Sequence, residues 1–382
     1  MVFLLFFTTR TQSMNNVGIY IHIPFCKARC GYCTFCSTTD LSLQDQYFDK
    51  LIQQINASRG GKISAIFIGG GTPSSVSLSN TTRLLQALHA KFDLTNLVEF
   101  TVECNPESTT TEYLALLKQY GVNRISFGLQ SVNDSTLKRI GRLHNYKDFL
   151  QAFDCARQVG FTSINADLII GLPESRQDFI HSVQTVCTLP LTHISMYALE
   201  LYPNSPIYNL CKSQYNFDDD TLADMYDQAL EVMSSHGFDR YEISNFAKSG
   251  YTCKHNLSYW QQCQYFGFGA SACGFIDDVR YTNPKTLQGY LQTPMHQLIE
   301  VEERLSTFDK AVEYVMLGLR LTQGIDLDYL QQQFDFNFFN QFHNSKFLLS
   351  RGLLVQQNNR IFIPPEHIYV TNSILVTLFD ND

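Results

Sequence analysis

Between Gly18 and about Leu199 the sequence alternates short apolar runs with amphipathic stretches, and this alternation leaves few folds open to the chain. The runs at residues 19–23, 63–69, 97–103, 124–129, 163–170 and 193–199 read as strands. The segments near 44–57, 79–92, 109–120, 146–160 and 175–189 carry apolar residues at three- and four-residue intervals and read as helices. Six βα units in series predict an α/β fold built on a parallel sheet, a partial TIM-like (β/α)6 barrel. Its polar and glycine-rich signals fall at the carboxyl ends of the strands: a cysteine loop, then Gly69-Gly70-Gly71-Thr72-Pro73, Glu103, Gln130 and Asp167. In α/β barrels ligands bind at that rim, where the loops converge over the core.

The cysteine loop, CKARCGYC, places Cys26, Cys30 and Cys33 in C-x3-C-x2-C spacing directly after the first strand. Three thiolates can hold three irons of a cubane [4Fe–4S] cluster whose usual complement is four cysteines, which leaves one iron open to an external chelate. S-adenosylmethionine, with its amino and carboxylate groups, is such a chelate. A zinc site is the alternative, since Cys36 supplies a fourth sulfur. Zinc frameworks, however, usually separate two cysteine pairs by a loop that wraps the ion.

The chain has 382 residues, 44% hydrophobic and 17% charged, which predicts a globular protein of two or three domains. A net charge of -8 and a pI of about 5.7 argue against a broad nucleic-acid footprint. Eleven clustered cysteines without a clear secretory signal favour a reducing compartment, so a cytoplasmic location is expected. The apolar opening MVFLLFF is too short for a membrane span, and no transmembrane segment is expected; Met14 is an alternative start. Targeting or peripheral membrane contact through residues 1–13 is left open, as is a homodimer.

Beyond residue 204 the pattern changes to a helix near 219–236, a Gly-rich aromatic stretch at 259–275 and a helix around 302–321. A hairpin at 353–355 and 361–363 and a last helix at 372–379 follow. We expect an extension at 1–17, a barrel at 18–245 and a smaller α+β C-terminal domain at 246–382.

Individual residues offer chemistry. Glycines at Gly69, Gly70 and Gly71 let backbone amides approach a ligand, or simply make a tight turn. Glu103 can bind an amino group or ribose hydroxyls. Gln130, Arg142 and Asp167 add an amide, a guanidinium able to grip a carboxylate and a second acid. Arg142 on a solvated helix end and Asp167 in a structural pairing are the plain alternatives. His255, in HNLSYW, can ligate iron as a neutral imidazole, and the aromatic, glycine-bearing segment after it suits a flat macrocycle; a buried histidine at a domain contact is the alternative.

The motifs YIHIPFCKARCGYC, GGGTPS, VECNP, SFGLQS, GRLH, DLIIGLP, YEISNFA and HNLSYW, with the later LGLRL and GLL segments, occur in one order from Tyr20 onward. In this series the chain resembles the radical S-adenosylmethionine family of oxygen-independent coproporphyrinogen III oxidases (HemN-like), and within it the HemW-type haem chaperones. The resemblance implies a radical SAM barrel with a HemN-like C-terminal domain, and a [4Fe–4S] cluster on Cys26, Cys30 and Cys33. It also implies an S-adenosylmethionine pocket lined by Tyr20, Tyr32, Gly70, Gly71, Thr72, Glu103, Gln130, Arg142 and Asp167. HNLSYW is similar to the haem-binding signature of the chaperones, with His255 the axial ligand. Cys273 stands where many relatives have a histidine. Haem delivery to haem-accepting, including respiratory, proteins is then the expected function, with no residue assigned a catalytic role. Oxidative decarboxylation of coproporphyrinogen III is the alternative. The oxidases carry a further cysteine two residues after the third, where this chain has Phe35.

Overall fold

A computed structural model describes residues 17–203, 205–215 and 217–380; the apolar opening and Met14 lie outside them. Strands β1 (Val17–Ile23), β2 (Ile63–Gly70), β3 (Glu99–Cys104), β4 (Arg124–Gln130), β5 (Ser163–Ile170) and β6 (His193–Ala198) stand side by side in chain order. Each is parallel to the next. These are the six expected strands, within about two residues at each end. Their apolar runs are sealed on both sides, with Ile19, Ile66, Phe100, Ile125 and Ile164 fully or almost fully buried. Each such side chain contributes roughly 2 kcal/mol of burial.

The helices that cover this sheet are α1 (Gln44–Ala57), α2 (Leu78–Lys91), α3 (Thr111–Gln119), α4 (Asp134–Arg139), α5 (Tyr146–Val159) and α6 (Arg176–Thr188). Local chemistry fixes their starts. Ser77 accepts from the Asn80 N–H, while Asn145 with Asp148 and Ser175 with Asp178 form capping boxes. Gly160, at φ +96°, ends α5 in the left-handed conformation. Helix α4 was not expected, because six residues are too few to display a period. Asn133 caps it through the Ser135 and Thr136 amides. The turn after it, closed by the Arg142 N–H on the Leu137 carbonyl, carries Arg142 to the cleft at the carboxyl ends of the strands.

The chain continues through α7 (Tyr208–Gln214), α8 (Asp219–Ser235), β7 (Asp239–Arg240) and β8 (Asn245–Ala247), and β8 adds antiparallel to β6. After α9 (Lys254–Trp260) it crosses to the opposite edge, where β9 (Tyr265–Phe268) lies parallel to β1. Antiparallel strands β10 (Cys273–Ile276), β11 (Val279–Thr282) and β12 (Glu300–Arg304) follow, completing a twelve-stranded sheet. The Gly-rich aromatic stretch at 259–275 therefore runs from the end of α9 through β9 into β10. Between β11 and β12, α10 (Leu287–Gln292) is fastened to α1 by the Tyr290 hydroxyl on Gln54 and by Lys50 on the Leu291 carbonyl.

Residues 300–304 pair with β11, so the helix expected around 302–321 is shorter: α11 (Thr307–Gly318), started by a Ser306–Asp309 capping box. With α12 (Leu327–Phe334), α13 (Phe338–Gln341), α14 (Ser345–Ser350) and α15 (Thr371–Phe379) it encloses a second hydrophobic core around Val315, Leu330, Phe338, Leu348 and Leu378. A small antiparallel sheet of β13 (Ile325–Asp326), β14 (Val355–Gln357) and β15 (Arg360–Phe362) closes that core. No helix among the described residues is long and apolar enough to cross a membrane.

Candidate cofactor site

The loops after β1 to β6 surround one cleft of about 420 Å³. Cys26, Cys30, Tyr32 and Cys33 line one wall; Gly70, Gly71, Thr72, Glu103, Gln130, Arg142 and Asp167 line the rest. Two of the sequence candidates, Tyr20 and His255, lie elsewhere.

The cysteine loop is held from both sides. The Cys26 N–H donates to the Thr38 carbonyl at 2.9 Å and the Gly31 N–H to the Ile140 carbonyl at 2.9 Å, while the Gly71 and Thr72 amides bind the Ile23 and Phe25 carbonyls. A side-chain carbon on Gly71 would come within 2.9 Å of those two carbonyls and 3.0 Å of Cys26 Sγ. The glycine run is a tight turn packed on the chain's own atoms: Gly70 has φ +111°, and a Cβ there would strike the His22 ring at 2.6 Å.

Burial raises the thiols of Cys26 and Cys33, a direction that a bound cation reverses. The Thr72 hydroxyl lies 3.4 Å from Cys26 Sγ, and Arg142 Nη1 lies 3.6 Å from Cys30 Sγ. Among the described residues no three His, Cys, Asp or Glu side chains converge on one point as a single-ion site. A cubane takes one thiolate per iron, so three thiols spread along one wall of a cleft fit it. Cys36 is not on that wall: it packs against the main core, and its carbonyl accepts from His22 Nε2 at 2.7 Å.

Two carboxyl groups line the same cleft as the thiols. Glu103 accepts from the Gly70 N–H at 3.0 Å; burial, reinforced by Asp167, pushes its pKa up to about 8. Asp167 is raised by burial too, although Asn165 donates to it at 2.7 Å. Such a pair is best satisfied by a cationic ligand. Arg142 is no solvated helix end: Nη2 donates to Asn105 Oδ1 at 2.8 Å and to the Gly128 carbonyl at 2.5 Å. Gln130 sits at φ +73° where the β4–β5 register shifts, a bulge that re-aims its side chain. Asn105, Gly128 and Tyr197 also line the cleft and were not singled out in sequence. Asn105 stood in the VECNP motif two residues past Glu103, the only signal it gave.

His255 lies toward the amino-terminal side of the sheet, away from this cleft. It is 1% exposed and stacked on Phe67 at 5.1 Å, with Tyr20 beside both rings, 6.5 Å from His255 and 6.3 Å from Phe67. Its Nε2 is 2.9 Å from the Tyr259 hydroxyl, and its backbone N–H donates to Glu99 Oε1. Among the described residues the buried Nδ1 has no hydrogen-bond partner. Burial lowers its pKa to about 4, so the ring is neutral. Tyr20 hydrogen-bonds His22 Nδ1 at 3.1 Å, within the same aromatic layer. Cys273 is exposed, its sulfur 3.5 Å from the Thr282 hydroxyl.

Residues 20–186 match the radical SAM superfamily and residues 305–370 the HemN C-terminal domain. A Bacillus subtilis protein named heme chaperone HemW is 35% identical over 367 residues, spanning 93% of this chain and 97% of its own length. The Escherichia coli protein of the same name is 33% identical, over 81% of this chain and 83% of its own. In architecture the chain is similar to E. coli coproporphyrinogen III oxidase (HemN), described as a radical SAM enzyme, with a TM-score of 0.84 at 23% identity over 96% of this chain and 90% of that one. Identity sustained over nearly the whole length of a relative, with the thiol-walled cleft at the carboxyl ends of six parallel strands, makes this chain a member of the HemW family within the radical SAM superfamily.

Proposed function

We propose that this protein is a haem chaperone: it binds haem through the HNLSYW helix α9 and delivers it to haem-accepting proteins, respiratory ones among them, while a [4Fe–4S] cluster and S-adenosylmethionine in the cleft govern the hand-over. The observation that carries the reading is the 35% identity to B. subtilis HemW across 97% of that protein. Cys26, Cys30 and Cys33 would hold the cluster. Glu103 and Asp167 offer charge for the amino group of S-adenosylmethionine and Arg142 offers a guanidinium for its carboxylate, with Tyr32, Gly70, Gly71, Thr72 and Gln130 against the remainder. When bound, the pair supplies one-electron chemistry at the sulfonium.

Haem ligation through His255 Nε2 requires the Tyr259 hydroxyl to leave it, so capture involves a rearrangement of α9. The ring is already neutral, the form that binds iron. All eleven cysteines are free thiols, which supports a reducing, cytoplasmic setting.

Haem titration of wild type beside His255→Ala, followed in the Soret band, tests the ligand. A weakened, shifted band in the variant is expected; identical spectra and affinity would remove His255. Supplying the anaerobically reconstituted protein with reductant and coproporphyrinogen III tests the rival oxidase, and robust formation of protoporphyrinogen IX would replace the chaperone reading. Phe35, 64% exposed at the cleft mouth, stands where the oxidases place their extra sulfur.

A further inference from the structure

We propose that Asn105 is a positioning residue for the cluster: it aims the Thr72 hydroxyl at Cys26 and the Arg142 guanidinium at Cys30, and so sets the reduction potential. The proposal rests on the reading of the cleft as the cluster site. Asn105 reaches both donors at once. Its Nδ2 donates to Thr72 Oγ1 at 3.1 Å and to Glu107 Oε1 at 3.1 Å, and its Oδ1 accepts from Arg142 Nη2 at 2.8 Å.

The orientation of the amide is dictated by these partners. A flipped amide would turn Oδ1 toward the Glu107 carboxylate and Nδ2 toward the guanidinium, two repulsive contacts for two attractive ones. The backbone is fixed as well: the Asn105 N–H donates to Ser74 Oγ at 3.0 Å, and its carbonyl accepts from Thr109 Oγ1 at 2.8 Å. Glu107 is anchored 3.4 Å from the buried His144 ring.

Two consequences reach the sulfurs. A threonine hydroxyl has one proton, and because Thr72 Oγ1 accepts from Asn105 that proton is directed onward to Cys26 Sγ at 3.4 Å. Arg142 Nη2 is occupied by Asn105 and the Gly128 carbonyl, which leaves Nη1 facing Cys30 Sγ at 3.6 Å. Donors on cysteine sulfur draw charge from an iron–sulfur cluster and favour its reduced state. Asparagine is suited to this post because it donates and accepts from one planar group. Aspartate keeps the acceptor for Arg142 but loses both donors and adds charge beside Glu107.

The full chain, reconstituted anaerobically with iron and sulfide, is titrated with dithionite and mediators under EPR detection as wild type, Asn105→Ala, Asn105→Leu, Asn105→Asp, Thr72→Val and the double variant Asn105→Ala with Thr72→Val. The expected result is a four-iron cluster in each and a midpoint lower than wild type in Asn105→Ala and lower still in Asn105→Asp. The Asn105→Ala shift should shrink when Thr72 is already valine, because one arm is then gone. Should Asn105→Ala fail to fold or load, Asn105→Leu, of similar size and without added charge, decides. Loaded variants with the wild-type midpoint, or an Asn105→Ala shift undiminished in the Thr72→Val background, overturn this inference alone. A wild type that takes up no four-iron cluster overturns the reading beneath it.

Discussion

Glu103 Oε2 sits 3.0 Å from the backbone N–H of Gly70, so the acid of β3 is tied to the glycine turn of β2. A side chain on Gly69 would meet that oxygen at 2.7 Å, which is why the turn carries glycine there. Burial and the nearby Asp167 hold the Glu103 pKa at about 8, against an ordinary 4.5. Between these two values the folded state keeps a proton that the unfolded state gives up, so this group makes stability fall as pH rises from 4.5 to about 8. Glu103→Gln retains an acceptor for Gly70 and removes the ionisation. Without ligands the variant should be more stable than wild type at pH 8, by more than about 1 kcal/mol, and equal to it at pH 4.5. Urea unfolding at the two pH values measures this, and equal stability at pH 8 would refute the buried-acid account.

The same substitution should weaken a cationic ligand. Charged hydrogen bonds contribute about 1.5–3 kcal/mol, so S-adenosylmethionine affinity in Glu103→Gln should fall by roughly 10- to 100-fold. In wild type the ionised acid is the binding form, and affinity should climb with pH until about 8 and then level. Calorimetric titration on the cluster-loaded protein across pH 6 to 9 follows both effects. An affinity in Glu103→Gln that matches wild type at pH 8 would detach Glu103 from the ligand.

The six barrel strands and the rim were legible in sequence because both are local signals: unbroken apolar runs for strands sealed on two sides, and acids or glycines where each run stops. Helix α4 was too short to show a period. Strand β9 was hidden because its parallel partner is β1, at the far end of the chain, and only tertiary pairing makes Tyr265–Phe268 a strand. A buried His255 was the alternative the sequence offered, but what holds it there was unreadable, since that depends on Glu99 at the start of β3 accepting from the Lys254 and His255 amides and from Cys253 Sγ. The double role of Asn105 arises where loops after three strands meet.

Gly267 invites a test of the aromatic, glycine-bearing segment. A Cβ there would fall 1.8 Å from the Cys273 carbonyl oxygen, and one on Gly274 would fall 2.2 Å from the Tyr281 ring. These glycines serve the packing of β9 to β11, so Gly267→Ala must push two strands apart. Overpacking of this kind typically costs about 1–3 kcal/mol or more. A lower Tm is expected in the haem-free protein, and an unchanged Tm would return the glycine to a ligand-binding role.

Acidification should destabilise the protein through its buried imidazoles. His255 is lowered to about 4 by burial, and His22, His144 and His193 are lowered by burial as well. The unfolded chain takes up these protons below about pH 6.5 and the folded one does not, so stability is present above 6.5 and is lost as pH falls toward 4. For His255 alone the loss is on the order of 3 kcal/mol. His255→Gln should therefore flatten the decline of stability between pH 6.5 and 4.5, which a denaturant series resolves; an unaltered slope would mean that the ring is protonated in the fold.

Tyr259 decides how readily His255 is offered to iron. The Tyr259 hydroxyl occupies Nε2 at 2.9 Å while Nδ1 has no hydrogen-bond partner among the described residues, so removing the hydroxyl leaves both buried nitrogens unsatisfied. That penalty, about 1–2 kcal/mol, falls on the haem-free state alone when ligation goes through Nε2. Tyr259→Phe should then bind haem roughly 5- to 30-fold more tightly, the reverse of His255→Ala. Soret titrations of the two variants beside wild type separate the cases. If Tyr259→Phe binds haem no better than wild type, Nε2 is not the atom that meets the iron, whatever the effect of His255→Ala.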